Sequence, residues 1–349
     1  MRRTAVAIAF LGSCGSKPAP APLPPCDTPD PASAITSAHG SIHQFVVSRW
    51  LVPATKVDFS IDLNGDRRVD NQLGNLDGDL RAFGFDMQPT VDTSVASGSE
   101  LWLLTVETTD PSLGSDPTTA TTLFRAQYEE RPDFTGHGHF AVNTSWPSST
   151  FFGSLAAGTF HSNDPINRGA PPVSASFELE AFDGVAPAPL PLIGAHVVFT
   201  TNGDGTLSGA LQGSLREETF HERDLPILAA FFTHLIQTDP ANHPDLIKYF
   251  DVGNGNESPC AADADCDVAG ISPCVSGHCG CVNRDGTASV AGDGVIGVCE
   301  LEDDPLFANL IIPDVQIFDA TGAYAPSCAN SMKDSLSVGI GFTAVPATF

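Results

Sequence analysis

Between residues 62 and 70 the chain reads Asp62, Leu63, Asn64, Gly65, Asp66, Arg67, Arg68, Val69, Asp70. Calcium takes about six to eight oxygen ligands. A short loop gathers them by presenting side chains at its first, third and fifth positions, a backbone carbonyl at its seventh and a further group at its ninth. Asp62, Asn64, Asp66 and Asp70 fall on positions one, three, five and nine, and Arg68 offers its backbone carbonyl at the seventh. The chemistry this spacing predicts is cation binding, with calcium as the cofactor. The competing reading is a polar turn between a strand ending at Ile61 and a helix beginning near Val69.

With Val69 as the apolar eighth residue, the segment resembles the loops of EF-hand and dockerin domains. It departs from them at Arg67, where those loops carry glycine, and at Leu73, where they carry a bidentate acid. A second calcium candidate follows from the same resemblance. Asp245 to Phe250 reads as an entering helix ending at Asp251, and Asp293, Gly294, Ile296 and Glu300 match positions five, six, eight and twelve counted back from Glu300. Leu301 to Ile312 would be the exiting helix. The expectation is an EF-hand-like unit split by a cysteine-rich insertion, although Ser289 and Ala291 take the first and third positions in a contiguous count.

Other chemistry is thinly supported. The chain has no GxSxG elbow, HExxH pair or Walker loop. His137 and His139 share one face of an extended segment and could ligate a metal together, but Phe140 and Val142 on the other face imply that the histidines meet solvent. His221 with Glu222 reads as a surface pair at a helix start. Trp50, Trp102 and Trp146 read as core aromatics ahead of a sugar platform.

The elements that must hold these residues are mostly strands. Apolar and polar residues alternate in Val173 to Ala181, in Val57 to Ile61, in Leu207 to Leu215 and in Leu336 to Phe342. The run Asn202, Gly203, Asp204, Gly205 marks a hairpin. Val69, Leu73, Leu76 and Leu80 repeat at helical spacing, as do Ile227, Leu228, Phe231, Leu235 and Ile236 after Asp224, a candidate helix cap. The predicted fold is mainly β, an antiparallel β-sandwich or open barrel with a few helices and a small disulfide-rich insertion. The body spans 40–256, with helices near 69–88 and 224–250. The insertion covers 257–282, and 283–349 returns to the body.

Nine cysteines are present, and five lie between Cys260 and Cys281. This run resembles the cysteine-rich knots of Dickkopf N-terminal regions, which implies a scaffold and no activity. Disulfide candidates are Cys260 with Cys274, Cys266 with Cys279, Cys281 with Cys299, and Cys26 with Cys328. The competing reading of the cluster with His278 is zinc, disfavoured because export promotes oxidation.

At the N-terminus, Arg2 and Arg3 precede a short apolar run and then Leu11, Gly12, Ser13 and Cys14. That order resembles a lipoprotein signal peptide over 1–13, which implies acylation at Cys14. A Pro- and Ala-rich tether follows within 14–39. With 16 basic against 42 acidic residues, the formal charge of −26 excludes nucleic acid as a partner. Together with the closing stretch Lys333 to Val345, the chain resembles outer-membrane lipoproteins of myxobacterial type. The resemblance implies an exported protein, lipid-anchored in the outer membrane and facing the periplasm or the cell surface. The expected function is a non-enzymatic, calcium-stabilised binding or adhesion module with a protein or polysaccharide ligand. Alternatives are a cell-surface hydrolase with an unrecognised site and a purely structural envelope lipoprotein.

Overall fold

The computed structural model describes residues 34–82, 84–164, 172–182, 189–251, 260–262, 274–275, 278–284, 286, 288–290, 293–329 and 331–349. The segment expected to be a signal peptide, Cys14, Cys26, most of the expected tether and Cys266 lie outside the described residues.

Eight antiparallel strands close into a barrel. They are β1 (Ser41–Leu51), β2 (Trp102–Thr108), β3 (Asp116–Arg125), β4 (Ser149–Ala156), β5 (Thr159–Ser162), β7 (Pro189–Thr201), β8 (Leu207–Arg216) and β12 (Ser335–Pro346), with β6 (Ala175–Glu178) added alongside β7. The sequence reading left a sandwich or an open barrel. Closure comes from β5, whose Thr159, Phe160 and His161 pair with Thr200, Phe199 and Val198 of β7. That pairing removes both free edges of the barrel sheet. The last strand, β12, lies between β1 and β8, so the first and last strands pair in the sheet.

The barrel is a filled core. An eight-stranded barrel is about wide enough for side chains to occupy its interior. Trp50, Trp102, Phe151, Phe160, Phe199 and Phe342 are fully buried. The Trp50 ring lies 4.8 Å from Phe177 and 5.9 Å from Phe342, both edge-on. Leu207, Leu211 and Leu215 alternate inward with Gly209 and Gly213 as small fillers between them. The 202–205 hairpin forms as expected. Asn202 N–H donates to Thr206 O, and Gly205 turns the chain at a φ of 82°.

Two helices follow β1, α1 (Gln72–Ala82) and α2 (Gln88–Ser97). After β8 the chain runs through α3 (Glu217–Thr219), a π-helical turn Phe220–Asp224 and α4 (Leu225–Thr238) without a break. Asp224 is helical at φ −87° and makes no side-chain cap, so the predicted cap is an interior residue of one helical run. Next come α5 (Pro244–Tyr249), a small sheet of β9 (Cys274–Val275), β10 (His278–Val282) and β11 (Ala288–Val290), and then α6 (Val298–Asp303) and α7 (Pro305–Ala308). The small sheet therefore reaches beyond the predicted insertion boundary at 282. The single exiting helix expected over 301–312 is broken at Asp304 and Pro305. Phe232, Phe250 and Phe307 join this helical layer to the barrel core.

Two local expectations fail for one reason. Val57 to Ile61 forms no strand, since Val57 is 61 % exposed and Phe59 turns at a positive φ of 51°. Val69 is exposed and precedes α1, so the helical stripe begins only at Leu73. This stretch serves as a cover on the barrel's outer surface, so its backbone follows that surface and neither repeat.

Disulfides join Cys260 to Cys274 and Cys281 to Cys299, as the sequence led us to expect. Cys328 is disulfide-bonded, and the Cys26 proposed as its partner lies outside the described residues.

Candidate metal centre

The residues that flank the 62–70 loop, Phe59 and Asn71, lie on the outer face of β12. On that face the strand presents Ser335, Ser337, Gly339 and Gly341, all too small to obstruct a backbone. A Cβ on Gly339 would lie 2.1 Å from the Phe59 carbonyl oxygen, so only glycine admits this approach. Asn71 fastens the contact, donating through Nδ2 to Gly339 O at 3.0 Å and accepting Gly339 N–H at 3.0 Å. Under the loop, buried Leu63 packs with Val315, Ile317 and Phe318.

Within the loop, Asp62 organises the turn. Its Oδ1 accepts the N–H groups of Gly65 at 2.7 Å and Asp66 at 3.1 Å, and its Oδ2 accepts that of Arg67 at 2.6 Å. Asn64 Oδ1 accepts Asp66 N–H at 3.1 Å, and Asp66 Oδ1 accepts Arg68 N–H at 2.8 Å. A single antiparallel bridge, Asp70 N–H to Ile61 O at 2.9 Å, closes the loop and returns Asp70 to Asp62. Carboxylate oxygens of Asp62, Asp66 and Asp70 then lie within 4.8 Å of one another, the one such group among the described residues. Arg67 holds the sixth position at a left-handed φ of 65°, a conformation that glycine adopts most readily.

Burial raises the Asp70 carboxyl to about 8, reinforced by the nearby charges of Asp314 and Asp66. Asp314 is itself raised by burial and accepts both the N–H of Ser337, at 2.7 Å, and its hydroxyl. No sequence signal pointed to Asp314, because it reaches the loop only through the fold. The donor set is hard oxygen, three carboxylates and one amide carbonyl, and fits calcium or another hard cation. Leu73 supplies no twelfth-position acid and instead contributes to an apolar cavity.

The second candidate is brought together in part. Asp251 Oδ2 accepts Gly294 N–H at 3.1 Å, which places the two sides of the predicted split loop in contact. Asp293 Oδ1 accepts Val295 N–H at 2.8 Å. Glu300 Oε2 accepts Gly297 N–H at 2.6 Å and the Ser289 hydroxyl at 2.8 Å, and burial raises this carboxyl to about 7. Asp251, Asp293 and Glu300 are not gathered as closely as the first trio.

The remaining candidates resolve plainly. His137 and His139 are exposed. His221 is buried, with Nδ1 2.5 Å from Glu302 Oε1, so its partner is Glu302 in place of the adjacent Glu222. Trp50 and Trp102 are core. Ser162 Oγ lies 2.6 Å from His196 Nδ1, a pair missed in the sequence because β5 and β7 bring it together. Both are buried, the Ser162 hydroxyl accepts Val197 N–H, and burial lowers His196 to about 4, so the pair braces the strands. No helix among the described residues is long and apolar enough to cross a membrane. Comparison of the chain with protein-family models, curated proteins and solved structures finds no match.

Proposed function

We propose that the chain is a cell-envelope lipoprotein, anchored through lipid on Cys14, whose barrel serves as a non-enzymatic binding module completed by a calcium ion at Asp62, Asn64, Asp66 and Asp70. The observation that carries the reading is the convergence of the three carboxylates within one short loop. Gathering three carboxyls in so small a volume disfavours ionising all of them, as the raised Asp70 value reflects, and a divalent cation would offset that cost. The Arg68 carbonyl would add a further oxygen. Acidic net charge, disulfides and the lipobox-like order at Leu11 to Cys14 agree with an exported surface protein.

The test is thermal unfolding of the full-length oxidised protein with calcium and with excess chelator, repeated on Asp62→Ala with Asp66→Ala. A calcium-dependent rise in Tm that the double variant loses supports the site. Superimposed curves for the parent protein reduce the loop to a polar turn and favour a purely structural role. Anchoring is tested separately by incorporation of a labelled fatty acid, which Cys14→Ala should abolish.

A further inference from the structure

A second region carries chemistry independent of the metal loop. At the end of the barrel where β8 leads into α3, a cavity of about 120 Å³ lies between the inner barrel face and the helices. Leu215 and Val338 form its barrel wall, Leu76 of α1 and Leu228 of α4 face them, and Phe182 lies at its side. Three polar residues line it. Two are already engaged: Gln72 Nε2 donates to Leu310 O at 2.8 Å, and the Ser337 hydroxyl joins Gln72 N–H to Asp314. The third is Asp224, whose Oδ2 is buried and has no hydrogen-bond partner among the described residues.

An uncompensated carboxyl in apolar surroundings is costly, and such groups are normally paired. Among the described residues the cation that acts on it is Arg223, which directs Nη2 to Pro189 O at 2.6 Å. Asp224 also ends the π-helical turn, a distortion found frequently at functional sites. Mouths of β-barrels are common places for small ligands. An apolar cavity of about 150 Å³ takes benzene, so this one suits a body of about six carbons. The acidic molecule draws cations in preference to anions.

We propose that this cavity binds a primary amine on a small apolar body, with the hydrocarbon against Leu76, Leu215, Leu228 and Val338 and the ammonium on the Asp224 carboxylate. An ammonium supplies both the missing donor and the opposing charge, whereas an alcohol supplies only a donor.

The experiment is calorimetric titration of the full-length oxidised protein with n-hexylamine and with 1-hexanol. Hexylamine should saturate one site and bind at least ten times more tightly than hexanol. Asp224→Asn should reduce hexylamine to the level of hexanol, and Val338→Phe should abolish binding of both. Equal affinities for the two probes, no saturation, or undiminished hexylamine binding by Asp224→Asn overturns the assignment. A measurement on the parent protein guards against variants that fail to fold. Burial raises Asp224 to about 7, so at pH 7 ammonium binding should release about half a proton, read from titrations in buffers of different ionisation heat, and hexanol should release none. Equal release by hexanol and hexylamine also overturns it.

Discussion

Strand β12 separates two carboxyl-bearing regions with opposite solutions to the same problem. On its outer face, glycines admit Phe59 and Asn71, and in the loop between these two residues three aspartates share a small volume with dense backbone hydrogen bonding. Near one end of its inner face, leucines and valine surround a single carboxyl with an oxygen that nothing contacts by hydrogen bond. The difference shows that acidic residues call for different partners according to company. A cluster of carboxylates suits a divalent cation held by many oxygens, and one isolated carboxyl suits a single donor with an apolar body.

The comparison breaks most severely at Gly339. Replacing it with valine should force the 59–71 cover off β12 and cost about 3 kcal/mol or more, measured by urea unfolding, with the calcium response lost while the barrel's circular dichroism persists. Next in size is the cation itself. Calcium at about 100 times its dissociation constant should add about 2.7 kcal/mol, and chelator should remove it.

The pH dependence sharpens the contrast. Asp70 sits at about 8 when folded and near 3.9 when unfolded, so the folded state holds the extra proton between those values. Without calcium, stability should therefore fall as pH rises from about 4 to 8. Asp70→Asn should flatten that fall, raising stability at pH 8 in chelator by about 2 kcal/mol, the roughly 5 kcal/mol of the full shift being cut by this partly exposed group's solvent screening, while leaving pH 4 nearly unchanged. Asp224→Asn should act in the same direction by about 1 kcal/mol, since its folded value of about 7 is also raised by burial, and calcium should not alter that gain. Denaturant midpoints across pH separate the two. The smallest effect is at Gly205→Ala, where the left-handed turn should cost about 1 kcal/mol in Tm measurements without changing either ligand response.

The two regions were unequally legible. The 62–70 loop is contiguous, so the spacing of Asp62, Asn64, Asp66 and Asp70 is itself the geometric signal. The β hairpin and the inward leucines of β8 were readable for the same reason, whereas the pairing of Cys260 with Cys274 and Cys281 with Cys299 was fixed only by the fold. Asp224 was misread as a helix cap because an acidic residue before an apolar helical run has that local signature. Only the π turn and the helical residues before it reveal that its side chain lies beside a cavity. The loop at 57–61 was misread because its alternation is incidental to a backbone shaped by contact with Gly339 and Gly341.

By itself the sequence determined what depends on neighbours along the chain: the period of strands and helices, the oxygen-rich loop, the turn glycines and the acidic charge. Tertiary structure decided barrel closure through β5 and β7, the approach of Asp314 to Asp70, and the cavity around Asp224. Each of these joins segments far apart in the chain, and local spacing carries no information about which distant surfaces meet when the apolar core closes.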